Sequence, residues 1–208
     1  PYVVGISFGA KVAANLISGT YKKDIVFTTV TNYVPKTATF LPGPNFNFLV
    51  KKINPAYNTE KFKRASNQPA NLSSTKVVST ADSDYPIYVW YEAADKTVYW
   101  WSEADDVFAN ENSSSMFEYT HGRHSRLDTL DLSGINTINV KIMSRFFFNN
   151  RLQSLDLSVL DTRNVENMSY MFAGFNATIL PDLTKLNTGN VKDMSHMFIS
   201  ANFPSFDL

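Results

Sequence analysis

Leu155-Asp156-Leu157-Ser158-Val159-Leu160-Asp161-Thr162-Arg163-Asn164-Val165-Glu166-Asn167-Met168-Ser169-Tyr170-Met171-Phe172 decides how this chain is read, because its landmarks return. Asp156-Leu157-Ser158 is preceded by Asp131-Leu132-Ser133 and followed by Asp182-Leu183-Thr184, at spacings of 25 and 26 residues. Asn164-Val165 recurs as Asn139-Val140 and Asn190-Val191, and Met168-Ser169 as Met143-Ser144 and Met194-Ser195. A long unit with several fixed positions marks a stacked array, in which no unit buries its apolar face alone. Such an array points to a binding surface rather than a catalytic pocket.

Leu155 and Leu157 lie two apart, so a strand turns both to one face and sends Asp156 and Ser158 to the other. Val165, Met168, Met171 and Phe172 fall at i, i+3, i+6 and i+7, which predicts one side of a short helix. Asn164 stands where its side chain would cap the first turn. The expected unit is strand, turn, short helix and return. Stacked in parallel, such strands lie about 4.8 Å apart, and each large side chain in the shared core contributes roughly 1.5–3 kcal/mol. The Met-Phe spacing reads as core rather than as a metal or cofactor site.

Leu-Asp-Leu-Ser followed by Asp-Thr-x-Asn-Val-x-x-Met-Ser-x-Met-Phe resembles the BspA-type leucine-rich repeat of bacterial surface proteins. Residues 155–172 carry the motif almost whole, and 180–198 carry it again. The resemblance covers about 127–208. It implies an α/β repeat fold, a leucine-rich-repeat solenoid of about 25 residues per coil. It also implies a bacterial cell-surface, extracellular location, adhesion to host extracellular-matrix or cell-surface proteins, and no catalytic residues. Two departures are Phe146-Phe147 in place of Met-Phe and the insertion His121-Gly122-Arg123-His124 before the first full repeat.

Upstream the pattern changes, and three segments are expected. Residues 1–78 read as a β-rich basic region and linker, 79–119 as an aromatic hairpin cap and lead-in, and 120–208 as the repeats. Residues 1–80 hold ten Lys/Arg against two acids, and 81–208 hold nine against seventeen. Ile25-Val26-Phe27-Thr28-Thr29-Val30 reads as a strand, Pro42-Gly43-Pro44 as a turn, and 64–75 as a linker. Tyr85–Tyr91 faces Thr97–Trp101 across Glu92–Lys96 as a hairpin held by aromatic and β-branched pairs. Tyr2–Ile17 is too short to span a bilayer. Phe206-Asp207-Leu208 matches Leu155-Asp156-Leu157, and the chain is expected to be a fragment of a longer protein.

The candidate partner-binding residues are Asp131, Ser133, Asp156, Ser158, Asp182 and Thr184, with Asp207 in the same register. Carboxylates stacked at strand spacing repel one another. Either a partner uses them as an acidic strip, or each accepts a hydrogen bond from the next coil's backbone, and both roles are compatible. The Thr137, Thr162, Thr188 and Asn139, Asn164, Asn190 rows read as structural ties between coils. The alternative function is carbohydrate recognition through Trp90, Trp100 and Trp101, although a cap over the first coil's leucines is the favoured role for that cluster. A structural spacer is a third reading. Gly5-Ile6-Ser7-Phe8-Gly9 resembles a nucleophile elbow, yet no acid and histidine follow it in a compelling order. His121 and His124 form a weak metal pair. The absence of cysteine excludes a disulfide scaffold, thiolate metal sites and a cysteine nucleophile. The expectation is therefore no enzyme, no cofactor and no metal. Its partners are proteins first and glycans second, with no nucleic acid and no transmembrane segment.

Overall fold

A computed structural model describes residues 33–54, 58–118 and 127–203. The chain divides into compact units at Tyr33/Val34, and the second, Val34–Leu208, is the one described below. The strand expected at Ile25–Val30, the Gly5–Gly9 motif, His121, His124 and Asp207 lie outside the described residues.

The elements are β1 (Thr37–Thr39), α1 (Gly43–Ile53), β2 (Lys61–Arg64), β3 (Lys76–Val77), β4 (Ile87–Glu92), β5 (Thr97–Ser102) and β6 (Asp106–Phe108). Three two-residue strands follow: β7 (Thr129–Leu130), β8 (Arg151–Leu152) and β9 (Asn176–Ala177). The main sheet has the order β3-β4-β5-β2-β7, antiparallel from β3 to β5 and parallel from β5 to β7. β1–β6 and β8–β9 form two separate two-stranded parallel sheets. β2 comes from the first expected segment, β4 and β5 from the second and β7 from the third, and all four share this sheet.

The hairpin forms with six paired residues on each strand, from Ile87–Ser102 to Glu92–Thr97. Alternation buries Ile87, Val89, Val98 and Trp100 and turns Tyr88, Trp90, Tyr99 and Trp101 outward. Residues 64–75 carry the chain from β2 to β3. Ala65 N–H still bonds Trp100 O at 2.8 Å, and Leu72–Ser74 makes a 3-10 turn capped by Asn71.

Pro42-Gly43-Pro44 starts a helix rather than a turn. Proline's fixed φ suits a first helical turn, and Phe46, Asn47 and Val50 then face the core. Gly43 is required by contact: a Cβ there would lie 2.0 Å from Ser114 O. Asn47 Nδ2 donates to Met116 O at 3.3 Å and Glu118 O at 2.8 Å, tying α1 onto the first turn of the array.

The expected α/β leucine-rich-repeat solenoid is not what the chain forms. Among the described residues α1 is the sole α-helix and lies outside the repeats, and the sheets are mixed. Where short helices were expected, the chain makes successive turns. Arg145, Tyr170 and His196, each two residues after a repeated Met, have φ of 57°. Asn149, Gly174 and Ser200 are left-handed again four residues later, at 53°, 64° and 56°. An α-helix admits no left-handed residue within it. Asn167 also accepts from Ser169 N–H at 2.9 Å and Ser169 Oγ at 2.7 Å, a local bond that competes with helix. Asn164 caps nothing; its amide reaches back to Ile138 O at 2.8 Å.

Successive units are held together by backbone. Met143, Arg145, Phe147 and Asn149 donate to Asn167, Ser169, Met171 and Ala173 at 2.8–3.0 Å. Met168, Tyr170, Phe172 and Gly174 repeat this to Asp193, Ser195, Met197 and Ile199. Rings run through the centre: Phe117 meets Phe146 at 5.3 Å, Phe146 meets Phe147 at 4.7 Å, and Phe147 stacks on Phe172 at 5.3 Å. Phe46 and Phe62 join that column to the sheet's core through Phe117. The unit ending the described chain leaves Met194, Phe198 and Ile199 41–49% exposed. No helix among the described residues is long and apolar enough to cross a membrane.

Candidate functional site

Each candidate aspartate builds the turn it stands on. Asp131 Oδ1 accepts Ser133 N–H at 2.9 Å, Asp156 Oδ1 accepts Ser158 N–H at 2.8 Å, and Asp182 Oδ1 accepts Thr184 N–H at 3.1 Å. These are Asx turns, so the hydrogen bond stays within the unit rather than passing to the next coil's backbone. Asp131 and Asp156 follow Leu127 and Leu152, which pair in parallel, and Leu152 pairs on to Ala177 ahead of Asp182. The three turns thus occupy equivalent places in successive units. Asp156 and Asp182 are exposed, Asp131 is half-buried, and Ser133, Ser158 and Thr184 are exposed. The Ser158 hydroxyl and then its N–H hold the Asp156 carboxyl below the usual range; those of Thr184 do the same for Asp182. Beside the row lies an open hollow of about 500 Å³ lined by Ser158, Asp161, Arg163, Lys185 and Asn187.

The polar rows inside the stack tie units together. Thr137 Oγ1 donates to Asp161 O at 3.1 Å and accepts Asp161 N–H at 2.7 Å; Thr162 does the same with Asn187 at 3.0 and 2.7 Å. Asn190 Nδ2 donates to Arg163 O at 2.7 Å, as Asn164 does to Ile138. Thr137 and Thr162 are 2% exposed, which leaves them no surface role.

Sequence reasoning missed two columns. Glu111, Lys141, Glu166 and Lys192 alternate in sign, with Lys141–Glu111 at 3.0 Å and Lys192–Glu166 at 2.6 Å. The signal was present, since Lys141, Glu166 and Lys192 each follow the repeated valine. The left-handed positions carry the second column: Arg145 donates twice to Glu118, at 2.7 and 3.2 Å, and Tyr170 stacks on His196 at 4.8 Å.

The three tryptophans separate. Trp100 is fully buried and meets Phe40 edge-on at 5.5 Å, so it offers no surface to a sugar. Trp90 and Trp101 face outward, stacked on Tyr99 at 5.6 Å and Tyr88 at 6.4 Å. Among the described residues no group of three or more histidine or acidic side chains is placed to hold a metal ion.

Residues 107–207, just under half of the chain, match the family described as "Mycoplasma protein of unknown function, DUF285". The comparisons with curated proteins and with solved structures gave no match. The repeated part of this chain is thus similar to a Mycoplasma family, and that likeness brings no activity with it.

Proposed function

We propose that this chain is a noncatalytic binding protein of a bacterial cell surface, an adhesin recognising host extracellular-matrix or cell-surface proteins through its exposed row of turns. The observation that carries this reading is the recurrence of one Asx turn at Asp131, Asp156 and Asp182, each with a hydroxyl residue two places on. A turn locked by its own carboxylate holds the second carboxylate oxygen at little conformational cost to binding. Repetition multiplies modest contacts over an area, which is how shallow surfaces reach useful affinity. The resemblance of 127–208 to BspA-type surface repeats supports the location and the adhesive role, and the likeness to a Mycoplasma family supports a bacterial source.

The test is binding of the purified chain to a panel of matrix proteins, beside a variant with Asp131, Asp156 and Asp182 changed to Asn. Asparagine keeps the turn's acceptor oxygen and removes the charge, so circular dichroism is expected to match the parent. Saturable binding that weakens about tenfold or more in the variant is the expected result. Equal binding by both, or binding to no protein, would count against the turn row.

A further inference from the structure

We propose that the outer face of the main sheet, where β2 meets the hairpin, holds a site for an anionic sugar, a glycan unit bearing a carboxylate or a sulfate. Lys63 lies opposite Tyr99 in the β2–β5 pair, and Tyr99 lies opposite Trp90 in the β5–β4 pair, so all three share the outer face. None of the three is fully buried. They line a hollow of about 400 Å³ together with Arg64, Ala65, Ser66 and Asn67, where the chain leaves β2. A pyranose ring has an apolar C–H face and a rim of hydroxyls. The first packs on indole and phenol rings, and the second needs short polar groups such as those of Ser66 and Asn67. Trp90 and Tyr99 are already stacked at 5.6 Å, so little side-chain freedom remains to be lost on binding.

Charge selects the kind of sugar. Lys36, Lys96, Lys141, Arg145, Arg163, Lys185 and Lys192 all have a carboxylate partner. Lys61, Lys63 and Arg64 of β2, like Lys52, Lys76 and Arg151, form no ion pair among the described residues, and β2 is where three such cations lie together. Arg64 borders the hollow but lays its guanidinium 5.1 Å from the Trp100 ring centre, while Lys63 holds its ammonium 5.3 Å from the Tyr99 ring centre. The acid nearest in effect is Asp95, whose carboxylate accepts the Tyr99 hydroxyl at 2.8 Å and Thr97 N–H at 3.2 Å. Lys63 forms no ion pair among the described residues, so an incoming anion can supply one, and a neutral sugar cannot.

The chain would be titrated with a sulfated heparin hexasaccharide, a carboxylated hyaluronan hexasaccharide and neutral maltohexaose, read by tryptophan fluorescence and calorimetry. At least one anionic probe is expected to bind, about tenfold or more tighter than maltohexaose and more weakly as salt is added. The pair of anionic probes tells sulfate from carboxylate. Lys63→Gln, which keeps the length of the side chain, is expected to lose about tenfold in affinity with an unchanged circular-dichroism spectrum, and Trp90→Ala a similar amount. Failure of both anionic probes to bind, maltohexaose binding as tightly as they do, or equal affinity of the parent and folded Lys63→Gln would overturn the proposal.

Discussion

The hairpin and the repeat stack both bury large side chains, but they hold their backbones differently. In β4–β5 six consecutive residues on each strand pair, and the alternation of the sequence alone decides which rings go inside. In the repeats no strand among the described residues exceeds two residues. There, every second N–H of Met143–Asn149 and of Met168–Gly174 reaches the next unit, a left-handed residue follows each Met-Ser, and side chains such as Thr162 and Asn164 bond the backbone of neighbouring units. Apolar spacing therefore reports which residues are buried without reporting the backbone that buries them. In the hairpin one backbone fits the spacing. In the repeats helix and turn both fit it, and the polar residues decide.

The largest effects come from removing a ring from either region. Phe172→Ala in the stack and Trp100→Ala in the sheet, both fully buried, are each expected to cost about 3–5 kcal/mol in urea unfolding. Because the two belong to one core cluster, each variant is expected to keep a single transition. Two transitions would separate the regions into independent folding units. Thr162→Val comes next. It keeps the volume and strands Asn187 N–H and C=O, so about 1–3 kcal/mol is expected in the same measurement; no change would remove the polar ties from the account of the stack.

A smaller effect is the acid limb of stability. Burial works to raise the Glu118 carboxyl, but hydrogen bonds from Arg145 and Ser115 outweigh it and hold the group below its ordinary range. A carboxyl depressed in the folded state lends stability above its unfolded pKa, and this is lost as pH falls through the lower folded value. The urea midpoint of the parent is thus expected to decline below about pH 4.5, and that of Glu118→Gln to decline less. Smallest is Glu166→Gln. Its pair with Lys192 is solvent-exposed, and such pairs contribute little, so the midpoint is expected not to move.

The threonine and asparagine ties and the place of the hairpin follow from residue type and spacing. Asp-Leu-Ser reads as strand yet forms an Asx turn, because the carboxylate takes the N–H two residues on. Glu92, expected in the hairpin loop, pairs with Thr97 instead. The helix reading failed at Tyr170 and His196, because neither residue advertises a positive φ as glycine would; only Gly174, at the equivalent of Asn149 and Ser200, carries that mark. Trp100 was grouped with Trp90 and Trp101 by composition, whereas strand parity puts it on the opposite face. The start of α1 was hidden because Pro-Gly-Pro signals a turn unless the helix after it has a surface to dock on, here the carbonyls of Met116 and Glu118.

The central claim, that the repeats are turns built around a left-handed residue, is tested most directly by comparing Tyr170→Gly with Tyr170→Ala. Both variants lose the ring stacked on His196, so their difference isolates the backbone. At a left-handed position glycine is expected to be the more stable by about 1 kcal/mol. Alanine more stable by about 1 kcal/mol would instead place Tyr170 in a helix and contradict the account.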